Sequence, residues 1–174
     1  MSDSAAEVFG RLYEQYLPGV FRYVSYRVGD KTVAEDLTSD IFSKALTNFA
    51  KYDSGKGAFS TWIFSIARNT VIDYYRKRSK EQKLQRRDVE PKDMMFFASP
   101  EEEVWRSEEI RKLKDCLSLL NPNEQELVSL KFSSEMTNRE ISRVTGLSES
   151  NVGTIVCRAL RKLRDCFLRW QDEE

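Results

Sequence analysis

Between Phe59 and Arg78 the chain reads Phe-Ser-Thr-Trp-Ile-Phe-Ser-Ile-Ala-Arg-Asn-Thr-Val-Ile-Asp-Tyr-Tyr-Arg-Lys-Arg, aromatic rings interleaved with cations and amides. Rings can stack on unpaired bases, Arg and Lys can hold phosphate, and an amide such as Asn69 can pair with a base edge. The same rings also suit a core. Phe59 and Trp62 fit packing better than stacking, and periodicity alone does not separate the two. A second segment, Thr137-Asn-Arg-Glu-Ile-Ser-Arg-Val-Thr-Gly-Leu-Ser-Glu-Ser-Asn-Val, has helix-turn-helix spacing. Thr137 and Glu140 form a capping box, Gly146 supplies a left-handed turn, and Ser148 caps the next helix. That helix leaves Glu149, Ser150, Asn151, Thr154, Arg158, Arg161 and Lys162 facing outward, with Arg139 nearby on the preceding helix. Such a face can lie in a major groove with its basic flank on phosphate; a plain helical hairpin in a protein-binding bundle is the competing reading. A third segment sets Glu35, Asp36, Ser39, Asp40 and Ser43 off an apolar stripe. Two carboxylates four residues apart could hold a metal or work as acid and base. With no His and no further inward carboxylate, a solvated or protein-docking face fits better.

Composition narrows the chemistry. The chain has 174 residues, 28 Lys+Arg against 28 Asp+Glu, and no His. A His-zinc site, a His general base and a Ser-His-Asp or Cys-His pair are therefore excluded. Cys116, Cys157 and Cys166 form no CxxC and are odd in number, so neither a metal knot nor a disulfide framework is expected, and the thiols read as small hydrophobes. No cofactor or metal is expected, and no enzymatic activity. The N-terminus lacks the basic start and apolar stretch of a signal peptide, and no run approaches the ~18 apolar residues of a membrane span. A soluble, cytoplasmic protein with no membrane insertion is expected.

The zero net charge is sorted along the chain. Residues 68–87 carry eight Lys or Arg against Asp73 and Glu81, net +6, and residues 149–170 carry five against Glu149 and Asp165, net +3. Two basic stretches far apart suit two polyanion contacts, although charge alone fits two solvated helix faces equally well.

These segments need helices to present them, and helix periodicity dominates the chain, with no sustained strand alternation. Val8, Leu12 and Tyr16 begin a first helix that Pro18 should end or kink, and Gly29-Asp30 breaks the chain. Val33, Leu37, Ile41, Ala45 and Phe49 repeat every four residues. After a two-glycine loop, Ser60 is positioned to cap a helix lined by Trp62, Ile63, Ile66, Ala67 and Tyr74. From about Ser79 to Pro100 the periodicity fails, and Met94-Met95-Phe96-Phe97 sits in what reads as a linker. Helices follow over Val104–Leu120, Glu124–Phe132, Asn138–Val144 and Glu149–Trp170, the last with a buried stripe of Val152, Val156, Ala159/Leu160, Leu163 and Phe167. The expected fold is all-α: two small helical domains joined by a flexible linker, divided as 1–79, 80–100 and 101–174, the second carrying the helix-turn-helix.

Taken together the segments resemble the bacterial RNA polymerase sigma factors of the sigma-70 family, specifically the short extracytoplasmic-function (ECF) group. Ala34-Glu-Asp-Leu-Thr with Ile41-Phe42 and Ala45-Leu46 is similar to the family's polymerase-binding helix. Phe59-x-x-Trp62-Ile-Phe-x-Ile66-Ala-Arg-Asn69 with Asp73-Tyr74 and Arg76-Lys-Arg78 is similar to its −10-reading helix. Leu120-x-Pro122-x-Glu124, Glu140-Ile141, Arg158-Ala159 and Leu163-Arg164 are similar to its −35-reading domain. The resemblance implies a subunit that binds core RNA polymerase at its clamp and flap regions and directs promoter-specific initiation and melting. It implies that Glu35, Asp36, Ser39 and Asp40 meet the polymerase. It assigns Asp53, Lys56, Ala58, Phe59, Trp62, Arg68, Asn69, Asp73, Arg76 and Arg78 to the −10 element and its non-template single strand. It assigns Arg139, Ser148, Glu149, Ser150, Asn151, Thr154, Arg158, Arg161 and Lys162 to duplex DNA at −35, and it adds an anti-sigma factor as a partner. Three departures stand out: Gly153 and Ile155 occupy positions where relatives often carry Lys and Arg, and Gln125 stands where Arg is usual. A free-standing helix-turn-helix regulator would account for residues 137–164 but leave the other two segments without a role, and a protein-binding adaptor is disfavoured by the basic stretches.

Overall fold

The structure, a computed structural model, describes residues 4–84 and 107–171. Most of the expected linker, including Met94–Phe97, lies outside the described residues, as does the acidic end at 172–174. Seven helices make up the described chain: α1 (Ala5–Val28), α2 (Lys31–Asn48), α3 (Phe59–Leu84), α4 (Ser107–Ser118), α5 (Pro122–Phe132), α6 (Asn138–Thr145) and α7 (Glu149–Gln171). No strand occurs among the described residues.

Local chemistry sets most of the boundaries. Gly29 ends α1 at φ 72°, a conformation a β-carbon resists, and its N–H donates to the Ser25 carbonyl. Asp30 then accepts from Val33 N at 2.9 Å to start α2. Asn121 and Glu124 form a capping box on α5, with Pro122 at its first turn, and Thr137 and Glu140 form the expected box on α6. Gly146 closes α6 at φ 78°, and Ser148 Oγ accepts from Asn151 N at the start of α7.

Pro18 does not end α1. It forfeits only the bond to the Glu14 carbonyl, and Val20, Tyr23, Val24 and Val28 beyond it are buried, which holds the helix together across the gap. Nor does Ser60 cap α3, which begins at Phe59 and runs past residue 79 to Leu84.

The two halves share one core. Val20, Tyr23, Ile41, Ile63, Phe64 and Val71 from the first half are continuous with Leu127, Leu130, Met136, Ile141 and Val152 from the second. A smaller cluster of Leu117, Leu120, Val128 and Ala159 receives Tyr26 of α1 and Leu163 of α7. Beside it Cys116 and Cys166 form a disulfide with Cα atoms 5.7 Å apart, where none was expected. The reason is the phase of α7. Two turns beyond Ala159 the inward position falls on residue 166, so Cys166 is buried while Phe167 and Leu160 turn outward.

Candidate functional site

On α2, Glu35, Asp36, Ser39 and Asp40 are all exposed, opposite the buried line of Ala34, Thr38, Ile41 and Ala45. Asp40 pairs with Lys44 at 2.6 Å. Glu35 and Ser39 border a shallow cleft whose other wall is Leu17, Pro18 and Phe21 of α1. The acidic face therefore adjoins an apolar notch, the mixed surface that a protein partner uses.

The loop ahead of α3 is held by Asp53, whose Oδ1 accepts from Gly55 N at 2.9 Å and whose carbonyl accepts from Lys56 N at 3.0 Å. Lys56 and Ala58 are exposed at its tip. Phe59 is buried among the rings of Tyr16, Phe49, Tyr52 and Trp62, with centroids 5.2 to 6.4 Å away. Trp62 is half-buried against Tyr52 and leaves one side open. Phe59 thus packs and cannot itself stack on a base, whereas Trp62 keeps surface for one. Farther along, Asn69 and Arg76 are exposed, and Asp73 pairs with Arg76 at 2.8 Å. Residues 62, 69, 73 and 76 recur at one- to two-turn intervals, so one side of α3 carries ring, amide and ions together. Arg78 is half-buried and donates to the Tyr74 hydroxyl.

Arg68 faces the other way. Its Nε and Nη2 reach both carboxylate oxygens of Glu126 on α5 at 3.1 and 3.3 Å, and Glu126 is buried. Ser60 Oγ donates to Glu140 of α6 at 2.9 Å, Arg22 Nε to the Ser133 carbonyl at 3.1 Å, and Arg27 Nη1 to the Pro122 carbonyl at 3.4 Å. These bonds form a polar seam between the halves, and two of its members, Ser60 and Arg68, belong to α3. Sequence reasoning read Glu140 as a cap and missed Glu126; the signal available was an acid immediately before Leu127 and Val128 on α5.

In the second half Arg139, Ser148, Glu149, Ser150, Asn151, Thr154, Arg158, Arg161 and Lys162 are all exposed. Lys162 is not idle: its Nζ donates to both oxygens of buried Glu124 at 2.8 and 2.9 Å. Burial alone would raise the Glu124 carboxyl, but Lys162 and the Asn121 N–H hold it below the ordinary carboxylate range. The three departures have structural reasons. A β-carbon at Gly153 would lie 3.3 Å from Asn138 Nδ2, so that position is the close contact between α6 and α7. Ile155 is half-buried against the shared core. Gln125 is buried and its Nε2 donates to the Leu117 and Leu120 carbonyls at 3.1 and 2.9 Å, closing the end of α4. All three positions are engaged in packing or bonding within the chain.

No cluster of three or more metal-ligating side chains occurs among the described residues, and no described helix is long and apolar enough to cross a membrane.

The family model for Sigma-70 region 2 matches residues 12–81, and that for Sigma-70, region 4 matches residues 110–163. The chain is 39% identical over 159 residues to the ECF RNA polymerase sigma factor BldN of Streptomyces coelicolor, covering 91% of this chain but 60% of BldN. It is 30% identical over 164 residues to the ECF RNA polymerase sigma factor SigM of Bacillus subtilis, covering 94% of this chain and 97% of SigM. In fold it is similar to the sigma factor RpoE in complex with the anti-sigma factor NepR from Bartonella quintana, with TM-score 0.76, 22% identity, and 92% of this chain and 97% of that chain covered. It is also similar to CnrH in complex with the cytosolic domain of CnrY, with TM-score 0.66, 21% identity, and 93% and 88% covered.

Proposed function

The chain belongs to the ECF sigma factors of the sigma-70 family, and on that premise we propose that it binds core RNA polymerase and directs initiation at promoters with defined −10 and −35 elements. The observation that carries the reading is the order of three surfaces along one chain: an acidic face on α2, a ring-amide-cation face on α3, and the exposed start of α7 in a helix-turn-helix. The division is 1–79 for polymerase docking and −10 recognition, 80–100 as linker with the end of α3 entering it, and 101–174 for −35 recognition.

In this reading Glu35, Asp36, Ser39 and Asp40 dock on the polymerase, with the adjoining notch of Leu17, Pro18 and Phe21 taking an apolar side chain. Asp53, Lys56 and Ala58 in the loop, with Trp62, Asn69, Asp73 and Arg76 on α3, meet the melted non-template strand. Extruding a base costs a few kcal/mol, which ring and amide contacts must recover. Phe59 acts from beneath by fixing Trp62. Arg68 reaches DNA only after leaving Glu126, and Arg78 flanks the surface. Arg139, Ser148, Glu149, Ser150, Asn151, Thr154, Arg158, Arg161 and Lys162 face the duplex, with Lys162 first giving up Glu124. The chain performs no chemistry of its own, since phosphoryl transfer belongs to the polymerase, and it acts in the cytoplasm. An anti-sigma factor is its expected regulator, a partner supported by the complexes in which its structural relatives were solved.

The test is reconstitution with core polymerase. Wild type should co-elute with core and open a promoter, and Asp36→Arg with Asp40→Arg should abolish co-elution with helical content unchanged, because both side chains are exposed. Full co-elution of the double variant would defeat the docking assignment.

A further inference from the structure

The end of α4 carries two things at once. Cys116, wholly buried, is joined to Cys166 of α7, and the next turn supplies Leu117 and Leu120 to the small cluster on which Tyr26 of α1 rests. Gln125 fastens the Leu117 and Leu120 carbonyls, and the chain then passes through Asn121 to Pro122, whose carbonyl accepts from Arg27 of α1. The covalent bond thus anchors the ledge that seats the first half on the second. Among the described residues the buried cluster around that ledge comprises Leu117, Leu120, Val128 and Ala159, with Tyr26 and Leu163 packed against it.

We propose that Cys116 and Cys166 form a reversible dithiol–disulfide latch on the closed arrangement of the two halves. In the reducing direction a thiolate of a dithiol reductant attacks the sulfur of Cys166, the less buried of the two residues, and Cys116 leaves as a thiolate that takes up a proton. The reductant's second thiol then displaces Cys166 from the mixed disulfide. Two electrons and two protons pass to the protein, and the reductant becomes a disulfide. In the oxidising direction a peroxide converts one thiolate to a sulfenic acid, with water or alcohol leaving. The second thiol condenses with the sulfenic acid, releasing water. Access comes from local opening of α4, which a small cluster permits more readily than the main core. With the bond open, the ledge under Tyr26 and the Arg27–Pro122 contact loosen, and the α5 side of the Arg68–Glu126 pair loosens with them. The latch does not depend on which residues meet DNA. Its consequence for Arg68 rests on the reading of α3 given above.

The experiment uses the full chain with Cys157→Ser, which removes the exposed third thiol. Differential alkylation after hydrogen peroxide or dithiothreitol reports the two thiols, and amide hydrogen exchange reports α3, α5 and α1. Peroxide should protect Cys116 and Cys166 from alkylation. Dithiothreitol should expose both and speed exchange in 122–132 and 60–75 by at least about tenfold, the low end of what losing a cross-link produces. Cys116→Ala with Cys166→Ala should match the reduced chain under both treatments. Two results would overturn the proposal: thiols that remain alkylated after peroxide, or a bond that forms and breaks without changing exchange in 60–75. A third would also do so: loss of helical circular dichroism throughout the reduced chain, because the bond would then be a general staple with no specific effect on the seam.

Discussion

At the residue scale, Asn69 and Gln125 are both amides on helices, and their surroundings give them opposite work. Asn69 is exposed on α3 in line with Trp62, Asp73 and Arg76, so its polar atoms are spent on nothing inside the protein. Asn69→Ala should therefore leave core-polymerase binding and folding near wild type while reducing open-complex formation. Permanganate reactivity of the melted strand is the measure, and unchanged reactivity would make Asn69 a bystander. Gln125 is buried and bonded to two carbonyls at the end of α4. Gln125→Ala leaves the Leu120 carbonyl without this donor, while the Leu117 carbonyl keeps the Leu120 N–H at 3.1 Å, and should cost about 2 kcal/mol in urea unfolding, with promoter specificity intact. A loss well below that figure would mean that water replaces the amide. An Arg at that position would have to bury its charge, so the uncharged amide fits the packing.

At the element scale, much of the fold was legible because helix ends are written in short-range chemistry. Gly29-Asp30, Thr137 with Glu140, Gly146 and Ser148 act within one turn, so their sequence neighbours suffice to read them. What failed depended on partners far along the chain. Pro18 is overridden by burial of the residues after it, Ser60 is drawn to Glu140, and the inward phase of α7 carries Cys166 to Cys116, 50 residues back. The exposed candidate residues were legible as faces; the inward turn of Arg68 and the capture of Lys162 were not, since both answer to buried acids on α5. That capture bears on the two basic elements. Residues 68–87 carry net +6 with Arg68 committed to Glu126, while α7 carries net +3 with Lys162 committed to Glu124. The Asp73–Arg76 pair is exposed and opens at little cost. Each phosphate contact contributes about 0.9 to the salt slope on duplex and about 0.7 on single strands. Charge reversal at Arg76 and Arg78 should then flatten the salt dependence of holoenzyme–promoter affinity more than reversal at Arg158 and Arg161. The opposite ranking would make α7 the stronger electrostatic anchor.

At the scale of the whole molecule, the two halves are held by different kinds of force, and these respond to different conditions. The shared apolar core holds no group that titrates in acid. The disulfide closes a span of 50 residues and contributes about 4 kcal/mol against the reduced unfolded chain, which makes it answer to redox conditions. The seam answers to protons. Glu140 accepts from Thr137 N and Oγ1 at 2.9 and 2.8 Å and from Ser60 Oγ at 2.9 Å, so one carboxylate both starts α6 and ties it to α3. Its burial would raise its titration, yet the bonds from Thr137 and Ser60 and the Arg143 charge hold it below the ordinary value of 4.5. Glu124 is lowered in the same sense. A carboxyl whose folded value lies below its unfolded value binds fewer protons folded than unfolded. Its stabilisation is therefore complete above the unfolded value and is lost as pH falls toward the folded one. Acid should loosen the start of α6 and its bond to α3 together, before the apolar core gives way. The urea midpoint of the oxidised chain should fall as pH drops from neutral through about 4, a window set by the unfolded carboxylate. Glu140→Gln keeps the shape and an accepting oxygen but cannot ionise. It should lower stability at neutral pH by about 1 kcal/mol and make the acid slope shallower than in wild type. Equal slopes would show that Glu140 carries no part of the acid response.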